Sequence, residues 1–270
     1  MEHQTENGHS DHYKPRAFPT GFLWGTATSS YQVEGGNTHA DWFAWEQTGG
    51  KIADGTTSGR GVDAWNLWKQ DYDLLHKTLH NNAYRLSLEW SRLEIEPGVW
   101  DEDAFLQYRA MLKDLKARGI TVMLTLHHFT NPQWLAARGG WETGFVVRRF
   151  GFFVEKVTET LGEYVDLWVT INEPMVYVLE GYLVAQWPPQ KKSKLLAARV
   201  LWNMARAHRR AHCVIHAWGA RRQRKVMVGI ANNVSSFHSY YKHRFLDQIS
   251  VALIDRFTNH LFYSLTRMRT

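Results

Sequence analysis

The sequence predicts an α/β fold built on a parallel sheet, and three observations carry that expectation. Five short apolar runs alternate with longer amphipathic segments. The runs are rich in β-branched and aromatic residues and almost continuously apolar, as strands covered on both faces require. Polar residues (Gln32, His128, Asn172 and Glu173) collect where these runs end. Alternation of this kind indicates βα units.

The strand candidates are residues 22–30, 82–90, 121–129, 167–174 and 226–234. Between the first two, residues 63–79 set Trp65, Trp68, Tyr72 and Leu75 at helical spacing. The next helix is predicted from Asp101 to Arg118, with Gly119 as a C-terminal stop directly before a strand. Further helices are expected near 145–162, 196–219 and 244–265. Five βα units fit either a doubly wound sheet or a (β/α)8 barrel. No G-x-G-x-x-G follows the first strand and no P-loop follows any strand. Polar side chains at the C-terminal strand ends favour the barrel, because chemistry sits at that end. Closure needs eight strands and five are counted, so the barrel is expected to be incomplete here. Residues 1–16 are polar and patternless and read as a flexible lead-in; residues 17–270 read as one barrel domain.

Composition sets bounds on function. Lys and Arg number 32 against 26 Asp and Glu, a formal charge of +6, too mild at this length to demand a polyanionic partner. The 13 Trp, 11 Tyr and 13 Phe either fill the core or stack on sugar faces. The single Cys213 excludes an intramolecular disulfide framework and fits a reducing compartment. Residues 1–14 contain no apolar secretory core, and no apolar run nears the ~20 residues of a membrane-spanning helix. A cytoplasmic protein is the expectation.

The most informative local pattern is Thr170-Ile171-Asn172-Glu173-Pro174. Proline cannot donate to a ladder, so the strand stops and leaves Glu173 at its tip. A partly desolvated carboxyl there could protonate a leaving oxygen. The other reading is a Glu that pairs with an Arg or caps the next helix.

Four motifs in order decide between these readings. The stretch Phe22-Leu-Trp-Gly-Thr-Ala-Thr-Ser-Ser-Tyr-Gln-Val-Glu-Gly35, then Tyr84-Arg-Leu-Ser-Leu-Glu-Trp-Ser-Arg92, Thr125-Leu-His-His-Phe129 and Thr170-Ile-Asn-Glu-Pro174 resemble the signatures of glycoside hydrolase family 1. That is the β-glucosidase and β-galactosidase family of TIM barrels, and the likeness runs from Phe18 to about Val234. The resemblance implies retaining hydrolysis of a β-linked glycoside without cofactor or metal. It implies that Glu173 is the acid/base carboxyl and that Asn172 bonds the sugar 2-hydroxyl. Gln32 and His128 would bond other hydroxyls, and Arg85 would hold the nucleophile ionised. The family's Tyr-His-Trp stands here as His127-His128-Phe129, which removes an indole donor. Adjacent strand residues face opposite ways, so His127 is read as packing.

A retaining enzyme needs a second carboxyl about 5 Å from the first. The family's nucleophile motif, Thr-Glu-Asn-Gly, does not follow the fifth strand. These 270 residues alone are therefore expected to be inactive. The alternative is a truncated, non-catalytic half-barrel that binds sugar or a protein partner, its open sheet edges favouring self-association. Thr5-Glu6-Asn7-Gly8 spells the motif, but no strand precedes it, and it reads as coincidence. His208, His212 and His216 recur at helical spacing without a metalloprotease Glu and read as a packed or solvated face. The basic run Arg221-Arg222-Gln223-Arg224-Lys225 lacks aromatic interleaving and reads as a solvated turn, so no nucleic-acid partner is expected.

Overall fold

The computed structural model describes residues 17–242 and 244–267. The lead-in 1–16, with its Thr5-Glu6-Asn7-Gly8, lies outside them. Five strands form one sheet: β1 (Gly25–Ala27), β2 (Ala83–Ser87), β3 (Thr121–His127), β4 (Leu167–Asn172) and β5 (Met227–Ala231). Every neighbouring pair is parallel, and the spatial order is β1-β2-β3-β4-β5. A doubly wound sheet reverses direction at a switch point. This sheet never reverses, so it is a barrel wall, and the choice that the sequence narrowed is settled.

The helices fall where hydrophobic spacing places them. Ala64–Asp73 follows β1, Glu102–Ala117 follows β2, Phe145–Leu161 follows β3, Lys194–Arg221 follows β4 and Phe245–Asp255 follows β5. Asp101 caps the second of these by accepting from the Ala104 amide at 2.8 Å. Gly119, at φ +74°, turns the chain out of that helix in a left-handed conformation that costs glycine little. Ser193 caps the fourth through the Leu196 amide at 3.3 Å. The predicted helix 63–79 is regular only to Asp73 and widens into a π turn over Leu74–Thr78. The last one, 244–265, contains a similar turn at Arg256–His260.

The predicted strands overrun the observed ones at their C-terminal ends. Residues 22–30 are extended only to Ala27, because Ser30 already opens a one-turn helix, Ser30–Val33, and gives its amide to the Ser87 hydroxyl at 2.7 Å. Further one-turn or two-turn helices, Asp41–Glu46, Trp90–Leu93, Gln133–Ala136 and Pro174–Val178, occupy the loops after β1 to β4. So does a hairpin of Glu94–Glu96 with Val99–Trp100.

The core lies between the sheet and the helices. Trp90 stacks on Phe153 with centroids 4.9 Å apart, and Phe150 and Trp141 continue the aromatic layer. Such pairs add roughly 0.5–1.5 kcal/mol each beyond burial. Phe145–Leu161 packs on Lys194–Arg221, with Ala205, Ala207 and Ala211 of the longer helix buried. At the sheet edge, a Cβ on Gly25 would lie 2.6 Å from the Ala83 carbonyl oxygen. The close approach of β1 to β2 therefore requires glycine.

Candidate active site

The C-terminal ends of β2, β3 and β4 bring three polar side chains into one layer. Arg85 leaves β2 half-buried and donates through Nε to the Thr125 hydroxyl of β3 at 2.9 Å. Its Nη2 donates to the Asn172 Oδ1 of β4 at 2.6 Å. The planar guanidinium spans both neighbours at once, which a point charge could not do. Burial pulls Arg85 below the usual arginine range, and the Glu173 carboxylate opposes that shift. Arg85, Asn172 and Glu173 thus form one electrostatic group.

Glu173 occupies the point where β4 breaks. Its backbone is left-handed, φ 45° and ψ 58°, and Pro174 follows at the first position of a short helix. The Glu173 amide donates to the Ala231 carbonyl of β5 at 2.7 Å, which keeps the tip tied to the sheet. The side chain caps nothing. Its Oε1 accepts one long bond from Asn233 Nδ2 at 3.4 Å. The capping alternative is therefore excluded, and the carboxyl remains half-buried at the strand end. Among the described residues the only other carboxyl within two positions of the C-terminal end of β1 to β5 is Glu89, which is wholly buried.

The paired histidines diverge as their alternation requires. His127 is buried against Trp141 and Tyr177, with ring centroids 5.0 and 5.8 Å away. Its Nε2 bonds Asn131 Oδ1 at 3.1 Å, and burial pushes it down to about 4. It is a packing residue. His128 lies on the Arg85 side; burial, helped by Arg85 and His127, lowers it to about 3, so its imidazole is neutral at pH 7. Its buried Nδ1 has no hydrogen-bond partner among the described residues. Gln32 sits in the one-turn helix just past β1 with its side chain exposed.

The loops that follow β1, β2 and β3 share a polar network, largely buried. Glu34 accepts from Asn37 Nδ2 at 3.3 Å and from Tyr108, and it pairs with Arg92 at 3.3 Å. Burial pushes its carboxyl up to about 7, with Arg92 opposing. Asp41 accepts from the Asn131 amide and side chain, both at 2.8 Å, and burial raises it to about 7 as well.

An aromatic wall flanks the strand tips, and of its rings sequence reasoning marked only Phe129. Trp187 meets Trp42 at 5.3 Å and Phe129 at 5.1 Å, and Trp42 meets Trp45 at 5.5 Å. These rings come from the loops after β1, β3 and β4. Trp42, Trp45 and Trp187 sit outside the periodic segments, so no spacing signal marks them.

The weaker candidates resolve differently. His208 Nδ1 bonds the Thr170 hydroxyl at 2.7 Å, and burial lowers it to about 4. His212 and His216 lie ring to ring, 4.2 Å apart, on the same helix. Among the described residues no group of three or more His, Cys, Asp or Glu is placed to hold a metal. Arg221 and Arg222 both pair with Glu159, and Arg224 donates to the carbonyls of Gly162, Glu163 and Val165. No described helix is long and apolar enough to cross a membrane.

A parallel βα barrel wall here carries a carboxyl, an amide, a guanidinium and a neutral imidazole on neighbouring strands and the turns that follow them. The profile described as Glycosyl hydrolase family 1 matches residues 14–267, and the chain belongs to that family. Beta-glucosidase A of Thermotoga maritima is 34% identical over 73% of this chain and 45% of its own length. The human cytosolic beta-glucosidase is 34% identical over 64% of this chain and 38% of its own. The beta-glycosidase from Pyrococcus horikoshii superposes with a TM-score of 0.82 at 40% identity, covering 92% of this chain and 55% of that one. The Thermotoga maritima beta-glucosidase in complex with glucoimidazole superposes with a TM-score of 0.83 at 30% identity, covering 89% of this chain and 55% of that one. The chain spans about half the length of the relatives it matches.

Proposed function

We propose that these residues form the acid/base half of a retaining β-glycosidase site. The observation that carries the reading is Glu173, held in a left-handed turn at the tip of β4 with its carboxyl free of any cap and beside Arg85. In this role Glu173 protonates the glycosidic oxygen as the bond breaks, then takes a proton from the water that attacks the glycosyl-enzyme intermediate. Asn172, oriented by Arg85, bonds the sugar 2-hydroxyl. His128 is neutral and therefore offers one donor and one acceptor to further hydroxyls, with Gln32 at the rim. The aromatic wall of Trp42, Phe129 and Trp187 suits the apolar face of a sugar or aglycone. The covalent nucleophile is the second carboxyl that this chemistry requires.

The test compares two leaving groups in any preparation with measurable turnover. Glu173→Gln lowers kcat/KM for 4-nitrophenyl β-glucoside by roughly 10²–10⁴. The 2,4-dinitrophenyl glucoside needs no proton, so the covalent step with it keeps near wild-type rates, and added azide restores turnover. Equal losses with both substrates and no azide effect would sink the assignment.

A second reading, a sugar-binding half-barrel without turnover, is favoured by the single accessible carboxyl at the C-terminal strand ends among the described residues. Under that reading the chain binds glucoimidazole and hydrolyses neither glucoside. The outer edges of β1 and β5 carry exposed Leu23, Trp24 and Met227, which favours self-association there.

A further inference from the structure

Glu89 is not assigned a role by the reaction. It follows β2 in the sequence, is 0% exposed, and takes hydrogen bonds from three separate loops. Its Oε2 accepts from the Ser30 hydroxyl, past β1, at 3.3 Å and from the Thr130 hydroxyl, past β3, at 2.9 Å. Its Oε1 accepts from the Ser91 hydroxyl at 2.7 Å and the Ser91 amide at 3.3 Å. Ser30 stands two residues before Gln32, and Thr130 stands two residues after His128. One carboxylate thus joins the segments that carry both proposed hydroxyl-binding side chains.

The β3 loop needs such a tie. Phe129 has φ 70°, a left-handed conformation that is uncommon for a bulky residue. The Thr130 amide donates back to the His128 carbonyl at 2.9 Å, closing a three-residue turn around it. Strain of this kind persists only where the surroundings over-determine it. Here Thr130 is fixed by Glu89 and the next residue, Asn131, by Asp41 at 2.8 Å. Glu34 and its partners hold the far side of Gln32.

We infer that Glu89 is a positioning residue that sets Gln32 and His128 at their working separation by clamping the loops after β1 and β3 to the end of β2. The inference rests on the glycosidase reading for its functional consequence, and its structural half is independent of that reading. Glu89→Gln keeps the shape but puts an amide NH2 where a carboxyl oxygen accepts, so two of the hydroxyls must reverse or release. Thr130→Val removes only the β3 arm and guards against a variant that fails to fold.

Hydrogen exchange by mass spectrometry is measured on the full chain, with Ile215→Val in the helix Lys194–Arg221 as a core control of comparable stability loss. In both clamp variants the segment 128–132 exchanges roughly tenfold faster, the effect of one lost buried hydrogen bond. In Glu89→Gln the segment 28–34 follows it, and the control leaves both segments unchanged. Glucoimidazole affinity falls about tenfold in Glu89→Gln while the proton-transfer signature of the leaving-group series is retained. Unchanged exchange in 28–34 and 128–132 overturns the clamp whatever the sugar data show. Loosened loops with unchanged glucoimidazole affinity overturn the positioning role. A wild-type chain that ignores glucoimidazole counts against the glycosidase reading, while the exchange data still decide the clamp.

Discussion

Replacing Glu34 by glutamine tests how the polar network in the loops past the strands is held. Glu34 is 4% exposed and, with burial as the main cause, its carboxyl sits at about 7 against an ordinary 4.5. The folded state keeps its proton to higher pH than the unfolded chain does. Below pH 4.5 both states are protonated and the group contributes nothing. As pH rises from 4.5 to 7 the unfolded chain ionises first, so stability falls, and above pH 7 the full penalty remains. A gap of this size integrates to roughly 2.5 kcal/mol between pH 5 and pH 8. The substituted amide is neutral at every pH and can still accept from Arg92 and Asn37. The difference in unfolding free energy between variant and wild type therefore moves by about 2.5 kcal/mol in the variant's favour from pH 5 to pH 8. Asp41 titrates in both proteins and cancels. With m near 2.5 kcal/mol/M, the urea midpoints shift by about 1 M relative to each other. Midpoints that keep a constant separation across that range would refute the reasoning, because Glu34 would then be ionised in the fold with Arg92 fully compensating its burial.

Two further outcomes follow from local geometry. Gly25→Ala forces a Cβ to within 2.6 Å of the Ala83 carbonyl unless β1 moves away from β2, and it costs about 1–3 kcal/mol in urea unfolding. The loss is accompanied by faster amide exchange confined to the β1–β2 pair. Asp101→Ala removes the acceptor for the Ala104 amide and costs about 1 kcal/mol, with Asp101→Asn restoring most of it in the same assay.

The barrel wall was legible because its central strands β2 to β4 are largely buried and the helices packed on them bury one face, which leaves apolar runs and 3.6-residue spacing in the chain. Strand order was not legible, since alternation alone fits both a wound sheet and a barrel. The monotonic order in the structure resolved it. Glu173, Asn172, Arg85 and His128 were singled out as candidates because a proline marked one strand end and the motifs marked the others. Gln32 was placed at a strand end and lies instead in a one-turn helix, an element too short to impose a period. The hairpin within 94–100 escaped for the same reason, its strands being two and three residues long, while the contact of Trp42 with Trp187 escaped because it joins loops distant in sequence. Glu89 read as part of a motif, and only its partners from three loops reveal what it holds together.

The left-handed turn at Glu173 also bears on how this position can change over generations. A side chain other than glycine in that conformation carries a cost on the order of 1 kcal/mol, so glycine or asparagine would be the stabler tenant. A glutamate at φ 45° is therefore the costlier choice for folding. The sequence carries it here, and variants selected on melting temperature alone would be expected to lose this carboxyl early.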